Sequence, residues 1–202
     1  MTNDQNFVLL SMDFQRAMCE PDGSVGSGGL AAEIARRGTL DRVADALGTF
    51  RSNQWPVLHV RVSFDANFTN MTSASPRFAW FRANAALIES AEETQIVPAL
   101  LPTKDEPLIE KGCVNPFVGT RLREFLNLRQ FHHLVLAGVA TNHVVEATAR
   151  YAADIGFKVT VVEDLCASSS PELHEFAVHN ILPSYGAVMS LDELLATLES
   201  AD

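Results

Sequence analysis

The chain has 202 residues, of which 47% are hydrophobic and 20% are charged, and its formal net charge is -10 with a pI near 5.0. This composition is too apolar for a disordered segment and predicts one globular domain over residues 1–202. The acidic balance argues against nucleic acid and anionic membrane surfaces as partners, because the average field of the protein repels both.

The first part of the chain predicts a β-α-β unit. The apolar run FVLLSMD at 7–13 ends in an acid, and PVLHVRV at 56–62 begins at a proline, so both runs are typical of strands. Apolar residues recur at helical spacing between these strands, interrupted only by the sequence RRGT at 36–39.

The rest of the chain repeats this alternation. PLIEK at 107–111 precedes a helix from Thr120, HLVLAG at 133–138 precedes a helix over 142–155, and FKVTVVED at 157–164 precedes a helix over 171–180. A last short strand, AVMSL, precedes the helix of DELLATLES. Apolar strands alternating with helices are typical of a parallel sheet covered on both faces. We predict a three-layer α/β/α, Rossmann-like fold with a mostly parallel sheet of about six strands.

One segment, at about 63–106, does not follow this pattern. It contains many small polar residues and two clusters of aromatic side chains. We interpret it as an irregular insertion within the domain. A long connection of this kind usually forms a lid or a subunit contact.

The cysteines and the N-terminal residues bear on the cellular compartment. Cys19, Cys113 and Cys166 are odd in number, far apart, and lack CxxC or zinc-ligand spacing. The first apolar run is too short for a signal peptide or a membrane span. We therefore expect a cytoplasmic protein with no metal and no cofactor.

Three features follow directly after predicted strands. Asp13 ends the first strand, Lys111 ends the third, and the turn GVATNHV at 138–144 follows the fourth. Ligands of open α/β sheets bind at this carboxyl edge. A carboxylate and an ammonium group in a partly dry cleft hold each other ionised and can exchange protons with a substrate. A structural ion pair is the alternative interpretation.

The chain resembles the isochorismatase-like hydrolases, also called cysteine hydrolases, which include nicotinamidases, carbamoyl amidohydrolases and isochorismatases. The similarity extends over nearly the whole chain. It rests on the stretches LLSMDFQRAM, LIEKGCVNPFVGTRLREFL and LVLAGVATNHVVEATARYAADIGFKVTVVEDLCAS. This resemblance implies a homo-oligomer that acts on a small-molecule substrate.

The amide-cleaving members of this family use an Asp, a Lys and a Cys. The Asp accepts the thiol proton, the Lys orients or stabilises the reacting groups, and the thiolate attacks the carbonyl. The resemblance assigns Asp13 and Lys111 to the first two positions, and Val144 stands where the cysteine is usual. A valine can neither ionise nor attack, so the covalent route is closed at this position.

The turn before Val144 has two interpretations. The resemblance implies an unusual backbone at Val139, Ala140 and Thr141, with a cis peptide bond in some members, that directs amides at an oxyanion. Alternatively, these residues form only a tight strand-to-helix connection. His143 is the imidazole best placed to activate water, although packing or capping also explains it.

Other residues are candidates for a nucleophile or for substrate contacts. Cys113 follows Lys111 by two residues, so in an extended segment both side chains project the same way, although a buried inert thiol is the commoner case. Arg77 and Arg82 are candidates for holding a substrate carboxylate, although two solvated surface side chains are the commoner case. The remaining predicted contacts include Gln15 in the DFQ motif, which alternatively braces the turn after Asp13, and Phe117 as an aromatic pocket wall. Trp80, Phe78 and Phe81 are candidates to cover a planar substrate, although packing against a neighbouring subunit is the commoner case.

We predict a small-molecule hydrolase that acts without the usual cysteine. Isochorismatases cleave a vinyl ether with the Asp as general acid and need no thiolate, so the resemblance favours Asp13 in that role. These enzymes typically carry GVYAHIG at the turn, and Ala140 replaces its tyrosine. Two alternatives remain, which are an amide or imide C–N hydrolase using Cys113 or activated water, and a ligand-binding member without catalysis.

Overall fold

The sheet organises the molecule. A computed structural model of the chain describes residues 6–200, and within these residues one sheet contains six strands, all parallel. The order across the sheet, β3-β2-β1-β4-β5-β6, is the doubly wound order. The predicted Rossmann-like fold is confirmed, with an all-parallel rather than a mostly parallel sheet. The strands are β1 Phe7–Met12, β2 Val57–Val62, β3 Leu108–Lys111, β4 His133–Val139, β5 Lys158–Ala167 and β6 Ala187–Met189.

The helices follow the strands. The helical stretch between β1 and β2 divides at Gly38, within the predicted interruption RRGT, and the φ of 64° at Gly38 lies in the left-handed region that favours glycine. The helix predicted from Thr120 begins at Leu122, and the helix predicted over 171–180 becomes a π-helical turn after Phe176. The helix expected from residue 142 begins as a π-helical turn, Thr141–Val145. The described α-helices are α1 Arg16–Cys19, α2 Leu30–Arg37, α3 Thr39–Ser52, α4 Pro76–Ala83, α5 Leu122–Leu128, α6 Glu146–Asp154, α7 Pro171–Phe176 and α8 Leu191–Glu199.

The core consists of two apolar clusters, one on each face of the sheet. Along β1, Phe7 and Leu9 belong to one cluster, and Val8 and Leu10 belong to the other. This alternation follows from the two-residue period of a strand. Side chains of α2, α3 and α8 complete the first cluster, and side chains of α5 and α6 complete the second. Both faces of the sheet are covered, and the strand sequences are therefore apolar at consecutive positions.

The segment between β2 and β3 carries α4 and two 3-10 turns. Its aromatic residues pack with one another, with ring centroids 6.0 Å apart for Phe64 and Phe78 and 5.3 Å apart for Phe78 and Phe81. These rings belong to the first core cluster, so α4 is anchored to the body of the molecule. In the described part of the chain, no helix is long and apolar enough to cross a membrane.

The end of β3 is fixed by a close backbone approach. An added Cβ on Gly112, the residue after β3, would lie 1.9 Å from the Asn70 carbonyl oxygen, and the Gly112 carbonyl accepts a hydrogen bond from Thr72 N at 3.1 Å. A side chain at this position would therefore displace the segment that carries Lys111.

We expect Gly112→Ala to lower the free energy of unfolding by about 1–3 kcal/mol, because the new methyl group overlaps backbone that cannot rotate away. Gly48→Ala is the matched control, since Gly48 lies in α3 with no atom within 4 Å of an added Cβ. That substitution should raise the free energy of unfolding by about 0.5–1 kcal/mol. Equilibrium unfolding in urea measures both, and equal effects of the two variants would contradict the close approach.

Candidate active site

Asp13 and Lys111 meet at the carboxyl edge of the sheet. Asp13 follows β1, Lys111 ends β3, and β2 lies between these strands, with Val62 opposite Lys111 in the register. The Lys111 Nζ donates a hydrogen bond to Asp13 Oδ2 at 2.8 Å. The parallel sheet thus brings together two residues that are 98 positions apart in the sequence.

Both members of this pair are buried. Lys111 is 1% exposed and Asp13 is 4% exposed. The Lys111 ammonium group also donates to the Val114 carbonyl at 2.6 Å, whereas Asp13 Oδ1 has no hydrogen-bond partner among the described residues. Burial raises the pKa of Asp13, and the charge and hydrogen bond of Lys111 offset only part of that rise. The Asp13 carboxyl therefore holds a proton more strongly than an exposed aspartate does.

The backbone around Asp13 is held from both sides. Its φ of 62° lies in the left-handed region, which is unfavourable for a residue with a side chain. Its N–H donates to the Val60 carbonyl at 2.9 Å, and its carbonyl accepts from Gln15 N at 2.7 Å. These bonds compensate for the strained conformation that turns the carboxyl away from the strand.

Gln15 is a structural connection rather than a cavity residue. Its side-chain amide donates to the carbonyls of Val62 and Thr94, both at 2.8 Å, and accepts from Val62 N at 2.8 Å. Gln15 is fully buried and does not line the cavity described below. It ties the end of β1 to the end of β2 and to the segment before β3.

The turn after β4 contributes the opposite wall. The peptide bond between Val139 and Ala140 is cis, and the Ala140 carbonyl accepts from His143 N at 3.1 Å. The Thr141 hydroxyl lies 2.8 Å from His174 Nδ1, which connects the turn to α7. Val144 is 1% exposed within the π-helical turn.

An inner cavity of about 40 Å³ lies between these elements. The polar side chains in its walls are those of Asp13, Arg77, Lys111 and His143. The other lining residues are apolar and include Phe78 and Phe81 from α4. The charged and neutral candidates from the sequence therefore line one common cavity. The predicted site residues that line it are Asp13, Lys111, Val139, Ala140, His143 and Val144.

An outer cavity of about 280 Å³ adjoins the inner one. Arg77, Phe81, Ala140 and His143 line both cavities, so the two spaces are continuous along these side chains. Trp80 lines only the outer cavity and is 47% exposed. The expectation that Trp80 covers a substrate stays a prediction.

Two predicted contacts lie elsewhere. Phe117 packs in the second core cluster, with its ring centroid 5.3 Å from Tyr151 and 6.1 Å from Phe157, and it does not line either cavity. The Cys113 thiol donates to the carbonyls of Asn115 and Val118, at 3.3 and 3.8 Å. Because β3 ends at Lys111, the extended spacing that would direct both side chains into the cavity does not continue to Cys113.

The other two thiols, those of Cys19 and Cys166, are buried and line neither cavity. Burial raises the pKa of Cys19 and of Cys166 to about 12. Cys19 borders a separate surface pocket beside α2, and the Cys166 thiol donates to the Val162 carbonyl at 3.3 Å. Among residues 6–200, no thiol lines the inner or the outer cavity.

Some wall residues were not predicted from the sequence. Ser24, Val25 and Leu30 line the outer cavity, and they belong to the glycine-rich stretch PDGSVGSGG and the start of α2. The signal available in the sequence was that these residues belong to the connection that follows β1, beyond the short helix α1, since connections at the carboxyl ends of strands form ligand sites in this architecture. The same described residues contain no cluster of three or more His, Cys, Asp or Glu suited to a metal ion.

Comparison with known proteins agrees with this architecture. The family model described as the isochorismatase domain matches residues 7–193. The isochorismatase family protein YecD of Escherichia coli O157:H7 is 30% identical over 173 residues, covering 79% of this chain and 85% of that protein. Ureidoacrylate amidohydrolase RutB of Variovorax paradoxus strain S110 is 24% identical over 210 residues, covering 96% and 82%.

Solved structures show the same fold. An isochorismatase family protein from Desulfovibrio vulgaris superposes with a TM-score of 0.84 at 22% sequence identity, and the superposition covers 97% of this chain and 100% of the chain from D. vulgaris. At this level of identity the likeness supports the fold alone. The family match rests on the sequence over almost the whole described length, and the chain accordingly belongs to the isochorismatase family of hydrolases.

Proposed function

We propose that this protein hydrolyses a small molecule by direct proton transfer from Asp13, with Lys111 as its ionic partner and without a covalent thioester. The observation that carries this proposal is the composition of the inner cavity. The buried Asp13 carboxyl, whose Oδ1 has no hydrogen-bond partner among the described residues, lines this cavity together with Val144, and no cysteine of residues 6–200 does.

The environment of Asp13 suits a general acid. Burial raises the pKa of its carboxyl, so the protonated form persists to higher pH than in an exposed aspartate. Lys111 lies 2.8 Å from Oδ2 and compensates the negative charge that forms when the proton leaves. The unpartnered Oδ1 is available to a substrate or to water.

Vinyl-ether cleavage uses these groups in order. Asp13 donates its proton to the terminal alkene carbon, which leaves an oxocarbenium ion at the carbon that carries the ether oxygen. Water adds to that carbon and returns a proton to the Asp13 carboxylate. The resulting hemiketal then collapses to a ketone and an alcohol, so atoms and charges balance without a nucleophile from the protein.

Amide hydrolysis by activated water is the second candidate. It is favoured by the similarity to a relative that is named as a ureidoacrylate amidohydrolase. In that reaction, ionised Asp13 accepts a proton from water, and His143 in the same cavity is a further possible base, because burial lowers its pKa to about 4 and keeps the ring neutral. Attack by Cys113 would require its thiol to leave the Asn115 carbonyl.

We expect Asp13→Asn to reduce turnover by roughly 10²–10⁴-fold, the usual contribution of a positioned acid or base. The test is a panel containing isochorismate as a vinyl ether and ureidoacrylate as an amide, with Asp154→Asn, at the exposed end of α6, as the control. If Asp13 acts as the acid, kcat/KM falls as pH rises through its raised pKa. Unchanged turnover of Asp13→Asn on every substrate would contradict the proposal, and no turnover by the wild-type chain would favour the ligand-binding alternative.

The second test concerns the thiol. Wild-type activity should survive treatment with iodoacetamide, because no thiol in the described chain lines the cavities. We expect Val144→Cys to place an alkylatable thiol beside Asp13 and to make activity sensitive to the reagent, which mass spectrometry locates at residue 144. Loss of wild-type activity on alkylation of Cys113 would instead support the relocated nucleophile.

A further inference from the structure

Arg77 lies where the two cavities meet. It is the second residue of α4, and it lines both the inner and the outer cavity. Its Nη2 donates a hydrogen bond to His143 Nε2 at 2.7 Å, and His143 also lines both cavities. The guanidinium group therefore faces the space that connects the outer cavity with Asp13.

The charge of Arg77 is not neutralised by an acidic side chain. Arg77 takes part in none of the ion pairs formed within residues 6–200. Burial and the nearby Arg77 charge lower the pKa of His143 to about 4, so this partner is neutral near pH 7. The Lys111 ammonium group is directed at Asp13 Oδ2 and the Val114 carbonyl, and Lys111 does not line the outer cavity. Among the described residues, Arg77 is therefore the charged side chain that the outer cavity presents to a ligand.

The apolar lining and the size of the cavities indicate what else a ligand can contain. Phe78 and Phe81 are buried and present apolar rings to the inner cavity. The inner cavity of about 40 Å³ has room for about three water-sized groups, if each needs roughly 10–15 Å³. A group of this size reaches Asp13, while the larger outer cavity holds the remainder of the molecule.

We propose that Arg77 binds a carboxylate of the substrate, so that the protein acts on small organic acids whose hydrolysed group enters the inner cavity. A carboxylate accepts two parallel hydrogen bonds from a guanidinium group and is a better partner than the neutral imidazole of His143. The substrate class rests on the proposed hydrolysis, whereas carboxylate binding is independent of turnover.

Arg82 provides a matched control on the same helix. It follows Arg77 by five residues, and at 100° per residue its side chain leaves the helix in a different direction. Its Nη2 donates to the Phe68 carbonyl at 3.2 Å, and it lines neither cavity. The two arginines therefore carry the same charge into different surroundings.

The experiment measures binding of paired probes by isothermal titration calorimetry. Each pair contains a carboxylate and its isosteric amide, such as crotonate with crotonamide and benzoate with benzamide. We expect the wild-type chain to bind at least one carboxylate about tenfold or more tightly than its amide, the difference that a charge-assisted hydrogen bond provides. Arg77→Gln should remove this preference, Arg77→Lys should retain part of it, and Arg82→Gln should retain all of it.

Three outcomes would overturn the proposal. These are equal or absent binding of every carboxylate by the wild-type chain, a preference that persists in Arg77→Gln, and loss of the preference in Arg82→Gln. Thermal melting of each variant verifies that it is folded. Asp13→Asn is titrated in parallel and should keep the preference for carboxylates. If the wild-type chain binds carboxylates but hydrolyses no substrate of the panel, the proposed function is contradicted and the proposal of carboxylate binding stands.

Discussion

The buried ion pair between Asp13 and Lys111 is the interaction on which the site depends. Transfer of two charges from water to a protein interior costs several kcal/mol per ion, and their attraction repays this only with good geometry and further hydrogen bonds. Lys111 has such a further bond, to the Val114 carbonyl, but one oxygen of Asp13 has none among the described residues. A pair optimised for stability alone would not leave that oxygen bare, which favours a role in binding or catalysis.

The surrounding structure holds this pair in place. Asp13 has a left-handed backbone conformation, Gln15 connects the ends of β1 and β2 through three hydrogen bonds, and Gly112 allows the chain after Lys111 to pass against Asn70. Neither Gln15 nor Gly112 lines the inner cavity. These features fix the position of the two charged groups, since a small displacement would lengthen a 2.8 Å hydrogen bond between two buried side chains.

The sequence predicts the sheet and the meeting of Asp13 with Lys111, because apolar runs mark buried strands and parallel strands end at one edge. It could not predict side-chain direction where regular structure stops. An extended chain would have directed Cys113 alongside Lys111, and a buried inert thiol was the commoner alternative. β3 ends at Lys111, and the buried Cys113 thiol donates to the Asn115 carbonyl. Phe117 was expected in a pocket wall, yet its ring packs against Tyr151 and Phe157 in the second core cluster. Both positions depend on loop conformations that have no period.

Arg77 illustrates the same limit and shows why tertiary structure decides electrostatic function. The sequence offers two arginines in one short helix, and only the packing of Phe78 and Phe81 determines which one faces the cavity. On a chain of net charge -10, an anionic ligand is repelled by the average field and needs a local positive charge at its binding site. An acidic partner would have cancelled the charge of Arg77. The neutral ring of His143 orients the guanidinium group without cancelling it, and the charge therefore remains directed at the cavities.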